Sequence, residues 1–155
     1  MTAPVMNRVV ADFKAQATGD QLIQLKALRG KKVVIYFYPK DATPGCTTEG
    51  QNFRDLQAKF KRYKTVILGV SRDSLASHEK FKAKHKFPFA LISDSNEKLC
   101  RQFDLIKEKS LYGRKFMGIE RSTFLIDENG KLRAEWRKVK VKDHAADVLA
   151  AVKDC

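Results

Sequence analysis

Long hydrophobic runs are missing from this chain. The longest apolar stretch is the six residues Val33-Val34-Ile35-Tyr36-Phe37-Tyr38, so no segment reads as a bilayer-spanning helix and no membrane partner is expected. The first residues, Met1-Thr2-Ala3-Pro4-Val5-Met6-Asn7-Arg8, lack a basic region followed by an apolar one, so no secretory leader is expected. Cysteine is scarce. Three in 155 residues is an odd, small number that excludes a disulfide scaffold and points to a reducing, cytoplasmic setting. The Cys-x-x-Cys spacing of thioredoxin-type thiol–disulfide oxidoreductases is absent, since Thr47-Thr48-Glu49 follows Cys46. Without repeats or low-complexity linkers, residues 1–155 read as a single domain with a proper core.

Acidic residues are also few. Eighteen Asp and Glu against 31 Lys and Arg leave a net charge of +13. Lysines cluster in Lys59-Phe60-Lys61-Arg62-Tyr63-Lys64, in Lys80 through Lys86, and in Arg137-Lys138-Val139-Lys140-Val141-Lys142. The first two clusters alternate with core-type residues, as on the wet face of a helix. No zinc-finger spacing or RNA-binding aromatic signature accompanies the charge, so it reads as a solvated surface with no specific nucleic acid. The less favoured alternative is a basic non-enzymatic module, either nucleic-acid-binding or a holdase. His78, His85 and His144 fall on helix-patterned segments without metal-ligand partners, so no metal or cofactor is expected.

What the chain does have is an alternation of strand and helix signals. Residues 8–30 read as irregular or hairpin structure wrapping a sheet edge, with Thr18-Gly19-Asp20 as a turn. A buried strand is expected at about Lys32–Tyr38, a helix from Thr43 to about Tyr63, and a second buried strand at Thr65–Ser71. Ser74 caps a helix carrying Leu75, His78, Phe81 and His85 that ends before Pro88. Phe89–Ile92 is a short strand, and Asp94/Ser95 cap a helix with Leu99, Cys100 and Phe103. A loop is expected over roughly 104–120. Ser122–Ile126 and Leu132–Trp136 flank the hairpin turn Asp127-Glu128-Asn129-Gly130, and Asp143 opens a last helix. The order βαβαβαββα describes a thioredoxin-like α/β fold, a central mixed sheet flanked by helices.

The densest chemistry lies at the first strand-to-helix junction, Pro39-Lys40-Asp41-Ala42-Thr43-Pro44-Gly45-Cys46. Junctions of this kind carry the chemistry of α/β folds. With Thr43 as N-cap and Pro44 at N1, Cys46 falls at N3, where a capping box would place a carboxylate and where negative charge is favoured. Acidification gives a thiol only limited advantage. A free thiol near pKa ~8.5 is ~3% ionised at neutral pH, and lowering it to about 6 raises that fraction ~30-fold. The lower basicity costs roughly tenfold in nucleophilicity per thiolate, so the net gain is a few-fold.

Pro39-x-x-x-Thr43-x-x-Cys46, the strand Arg121-Ser122-Thr123-Phe124-Leu125-Ile126-Asp127 and the Asp127–Gly130 hairpin together resemble a peroxiredoxin over residues 8–150. Tyr36-Phe37-Tyr38-Pro39-Lys40-Asp41-Ala42-Thr43-Pro44-Gly45-Cys46-Thr47-Thr48-Glu49 is most similar to the bacterioferritin-comigratory, or Q-type, subfamily. The resemblance implies a peroxiredoxin variant of the thioredoxin fold that reduces hydrogen peroxide and organic hydroperoxides. It makes Cys46 the peroxidatic nucleophile, which becomes a sulfenic acid. Thr43 and the backbone N–H groups of Gly45 and Cys46 would hold the peroxide. Arg121 would bridge thiolate and peroxide through a fixed fork that lysine cannot reproduce, Pro39 would shield the pocket, and Glu49 would orient Arg121. The departing oxygen gains charge in the transition state, so donors aimed at it supply the larger rate term.

The resemblance breaks at the second cysteine. Many subfamily members carry a resolving cysteine five residues after the first, where this chain has Gln51. Others place it in the following helix, yet residues 74–87 contain none. Cys100, at core spacing with Leu99 and Phe103, reads as a small buried hydrophobe. Cys155, the last residue, is free to reach Cys46 of the same or another chain. A one-cysteine mechanism is expected, with thioredoxin, glutaredoxin or a small thiol as reductant. The alternative is an atypical two-cysteine enzyme resolved by Cys100 or Cys155. A monomer or weak dimer is expected.

Overall fold

An interior strand of the fold, β3 (Lys32–Phe37), is buried at all six positions because both faces of the sheet are covered there. This is why it reads as a continuous apolar run rather than an alternation. The computed structural model describes residues 3–155. Its seven-stranded mixed sheet has the order β2-β1-β5-β4-β3-β8-β9. The hairpin β1 (Lys14–Ala17) and β2 (Gln21–Gln24) forms one edge, the hairpin β8 (Ser122–Ile126) and β9 (Leu132–Trp136) the other. Between them β3, β4 (Thr65–Ser71) and β5 (Ala90–Ser93) run parallel, joined by α1 (Pro44–Arg62) and α2 (Leu75–His85).

The sheet separates two cores. Val33, Ile35, Phe37, Leu68 and Val70 face Leu99, Cys100 and Phe103 around α3 (Lys98–Gln102). On the opposite face Val34, Tyr36, Tyr38 and Ile67 pack on Cys46, Phe53 and Phe60 of α1, Phe81 of α2, and Val148 and Val152 of α4 (His144–Asp154). Alternate residues of β3 thus serve different cores, as the pleat requires.

Several boundaries agree with the sequence reading. Thr43 is the residue before α1 and Pro44 its first; Ser74 caps α2, its Oγ accepting from Ser77 N–H at 3.1 Å. The expected cap at Asp94/Ser95 is displaced: the helix Lys98–Gln102 follows Glu97, and Asp94 reaches it from a distance, its carboxylate taking the N–H groups of Leu99 and Cys100 at 2.9 and 2.7 Å. The expected strand loses its last residue, although Tyr38 N–H still reaches Val70 C=O at 3.0 Å.

The expected loop over 104–120 is corrected. Ile106–Leu111 and Arg114–Ile119 form a separate two-stranded sheet, β6–β7. Its turn is Tyr112-Gly113, both at positive φ (51° and 75°), the conformation of a tight two-residue hairpin. The strands are largely exposed and rich in lysine, so they carry no hydrophobic alternation to read.

Candidate active site

Cys46 lies in the first turn of α1 with 2% of its surface exposed, among the aromatic residues of the α1 core. Tyr36 stacks on Phe53 with ring centroids 4.7 Å apart and on Tyr38 at 5.6 Å, walling the thiol on the sheet side. The first ladder bond of α1 runs from Thr47 N–H to Thr43 C=O at 2.9 Å. The N–H groups of Gly45 and Cys46 precede it and have no helical acceptor.

Arg121 enters from the short link between β7 and β8, 75 positions away in sequence. Its Nη2 donates to Cys46 Sγ at 3.4 Å and its Nη1 to Glu49 Oε1 at 2.6 Å. Glu49 stands one turn beyond Cys46 on α1 and is 1% exposed. Burial pushes its carboxyl up to about 7, and Arg121 offsets only part of that. The second oxygen, Oε2, is buried without a partner among the described residues, as is the Tyr36 hydroxyl. Burial resists the guanidinium charge of Arg121, but Glu49 and Cys46 outweigh it and hold the group above its ordinary value.

Gly45 makes room for this arrangement, since a Cβ there would sit 3.3 Å from Arg121 Nη2. Thr43 has the N-cap backbone but makes no side-chain cap bond; its hydroxyl donates to Lys40 C=O at 2.7 Å instead. With its proton so placed, the Thr43 oxygen keeps acceptor capacity only. Pro39 is half-buried in the same loop. A shallow hollow of roughly 500 Å³ lies at the start of α1, between Pro44, Gly45, Thr48 and Asn52 on one side and Val141, Lys142 and Asp143 on the other.

The other two thiols are elsewhere. Cys100 is buried in the core across the sheet, and burial with Asp94 beside it pushes its thiol far up. Cys155 is exposed at the end of α4, where Lys32 Nζ, at the start of β3, donates to the carbonyls of Val152 and Cys155 at 2.9 Å each. Cys46 follows the opposite end of β3, and six strand residues span about 20 Å.

The sequence reading missed three groups. Lys109 of β6 is half-buried; burial and then Arg121 lower its ammonium, while Cys46 works the other way. His144, read only as lying on a helix-patterned segment, is buried beside Thr123 Oγ1 at 2.8 Å, and burial depresses it to about 4. His78 is buried too, within 4.8 Å of Asp41 and Asp73 at their ligand atoms. Those oxygens accept from Tyr38, Ser77, Ser71, His78 and the Asp41 N–H, which makes a hydrogen-bonded cluster rather than a coordination sphere.

A single thiol at a helix start, faced by a partly buried arginine, is the kind of site that cysteine-dependent peroxidases carry. The AhpC/TSA family model matches residues 6–135, most of the chain, and the protein belongs to that family. It is similar to Peroxiredoxin Bcp of Bacillus subtilis, with 51% identity over 92% of this chain and 91% of the relative. Identity to Peroxiredoxin Bcp of Xanthomonas campestris is 54%, over 92% and 89%. Among solved structures, a cysteine mutant of Xanthomonas campestris Peroxiredoxin Q superposes with a TM-score of 0.90 at 50% identity over 99% of both chains. A Xylella fastidiosa PrxQ mutant gives 0.93 at 40% identity, over 99% and 98%. The thioredoxin-like fold and the bacterioferritin-comigratory resemblance are thereby borne out, and the protein is a thiol peroxidase that uses a peroxide and a thiol reductant. No helix among the described residues is long and apolar enough to cross a membrane.

Proposed function

We propose that Cys46 is the peroxidatic nucleophile of a one-cysteine cycle. The thiolate attacks one oxygen of the hydroperoxide and an S–O bond forms as the O–O bond breaks. The leaving oxygen takes a proton and departs as water or alcohol, and Cys46 becomes a sulfenic acid. Arg121 reaches the sulfur through one arm of its fork, and the Gly45 and Cys46 N–H groups lie at the helix start. The Thr43 oxygen accepts from the incoming O–H, and Pro39 closes the loop side. The observation that carries this reading is the Arg121 guanidinium bonded at once to Cys46 Sγ and Glu49.

An external thiol then attacks the sulfenic sulfur, releasing water, and a second thiol reduces the mixed disulfide. Cys100 across the sheet and Cys155 at the far end of β3 support an outside reductant over either internal partner. Thioredoxin, glutaredoxin and small thiols all fit this step. The hollow beside Gly45 offers space for an alkyl group, and a solved Xanthomonas campestris relative at 52% identity is described by its alkyl peroxide reduction activity. We read the chain as one cytoplasmic domain, a monomer or weak dimer. Stopped-flow oxidation of Cys46 by hydrogen peroxide tests the nucleophile: a rate far above that of free cysteine is expected, and one no faster would overturn it.

A further inference from the structure

Asp41 occupies the middle of the 39–43 loop yet is almost fully buried. Its Oδ1 accepts from Tyr38 Oη at 2.6 Å, and its Oδ2 from Ser77 Oγ at 2.8 Å and from His78 Nδ1 at 2.7 Å. Its own N–H donates to Asp73 Oδ2 at 2.9 Å. The loop is therefore tied to α2 through one side chain and to the β4–α2 connection through one amide.

His78 has no solvent exposure, and its other nitrogen, Nε2, lies 2.9 Å from Ile92 C=O. A carbonyl only accepts, so Nε2 carries a proton. An ionised carboxylate only accepts, so Nδ1 carries one too. Asp41 is the ionised partner: burial works to raise its carboxyl, and the bonds from His78 and Tyr38 hold it below its usual value. The titratable groups facing the ring are Tyr38 and Asp41 from the segment after β3 and Asp73 from the β4–α2 connection; β5 contributes only a carbonyl.

The tie acts on a strained segment. Ala42 sits at φ 62°, left-handed backbone that a non-glycine side chain holds only where its surroundings impose it. The next residue is Thr43, whose hydroxyl is aimed by its bond to Lys40 C=O. We propose that His78 is a positioning residue: donating from both ring nitrogens, it locks Asp41, and through Asp41 the loop that sets Thr43 against Cys46. The proposal rests on Cys46 being the nucleophile. It gives α2, which supplies no thiol, a part in the peroxide step.

The test separates the Thr43 side of the site from the thiol itself. In His78→Gln, which keeps an amide donor of similar size, and in His78→Ala, the second-order rate of Cys46 with hydrogen peroxide is read by stopped flow. Alkylation of Cys46 by iodoacetamide is followed across pH on the same samples. We expect the peroxide rate to fall about tenfold in His78→Ala and less in His78→Gln, with the alkylation profile unmoved. Unchanged peroxide rates, or equal losses in peroxide and alkylation rates, overturn the proposal. Should neither variant fold, nitrogen-15 spectra of the wild-type histidines decide it. Two protected ring N–H signals for His78 at neutral pH support the clamp, and a neutral ring removes it. The wild-type peroxide rate reports on Cys46 alone, so failure of the nucleophile reading is distinguishable.

Discussion

Gly45 and Arg121 are fitted to each other across the site: a single added carbon at position 45 would lie 3.3 Å from Nη2, the guanidinium nitrogen that reaches Cys46. The guanidinium cannot simply retreat, because its other arm is bonded to the buried Glu49 at 2.6 Å.

Gly45→Ala should therefore separate activity from stability. Alanine is the better helix former by about 1 kcal/mol, and the backbone at this position is not left-handed. We expect an unchanged or slightly higher thermal midpoint together with a roughly tenfold slower peroxide reaction, from displacing Arg121 by a few tenths of an ångström. Calorimetry and stopped-flow fluorescence on one preparation check both; a variant as fast as wild type would show that the guanidinium relaxes freely.

Arg121→Lys keeps the charge and removes the fork. A point-like ammonium cannot bond Glu49 and Cys46 in the same plane. The loss should fall on the step in which the departing oxygen gains charge, by roughly a hundredfold, about 2.7 kcal/mol. The pH midpoint of Cys46 alkylation should move by much less than that energy. Equal losses in the two measurements would contradict the assignment of Arg121 to the leaving oxygen.

Glu49 introduces a pH dependence whose sign follows from its raised carboxyl. Between its ordinary value of 4.5 and about 7 the folded protein binds more protons than the unfolded chain. Glu49 thus lowers stability as pH rises through that window. Glu49→Gln should gain in thermal midpoint relative to wild type on going from about pH 5 to about pH 8. In the peroxide reaction the neutral amide imitates the protonated acid, which holds Arg121 less firmly. The variant should be slower above neutrality and lack the inflection near 7. A variant that retains this inflection would assign it to another group.

How much of this was legible in the sequence divides by range. β3 and α1 were readable because their signals are local: six apolar residues in a row, then Thr43 and Pro44 at a helix start. Arg121 could be brought to Cys46 only through resemblance, since nothing local links residues 75 positions apart. The β6–β7 hairpin was missed because its strands, such as Ile106-Lys107-Glu108-Lys109-Ser110-Leu111, bury too little to show a period. His78 was placed on its helix with Leu75 and Phe81, and Asp41 in the loop before α1, but no local signal joins the two. Their burial follows from the parallel packing of α2 beside the loop after β3, which neither segment encodes alone.

His144 should be the acid-sensitive point of the fold. Its imidazole lies between Trp136 and Phe53, bonded to Thr123, and burial depresses it from 6.5 to about 4. In that window the unfolded chain binds the extra proton, so stability present above 6.5 is lost as pH falls toward 4. The thermal midpoint of wild type should drop by a few degrees more than that of His144→Gln over this interval. Parallel pH profiles for the two proteins would remove His144 from the account.

Cys100→Ser and Cys155→Ser, singly and together, should retain peroxide turnover with an external thiol. Cys100 is separated from Cys46 by the sheet and its thiol is strongly disfavoured as an anion. For Cys155, closing the length of β3 would require unwinding the end of α4 and breaking the two bonds from Lys32. Without a thiol, the sulfenic acid stays under the same donors that met the first peroxide, so a second equivalent can carry it to sulfinic acid. Intact mass spectrometry after one equivalent should show a single added oxygen on Cys46, and two after excess. A loss of two hydrogens, mapped to a bridge between Cys46 and Cys100 or Cys155, would replace the one-cysteine cycle with a two-cysteine one. A bridge that forms only at high protein concentration would place the resolving thiol on a second copy of the chain.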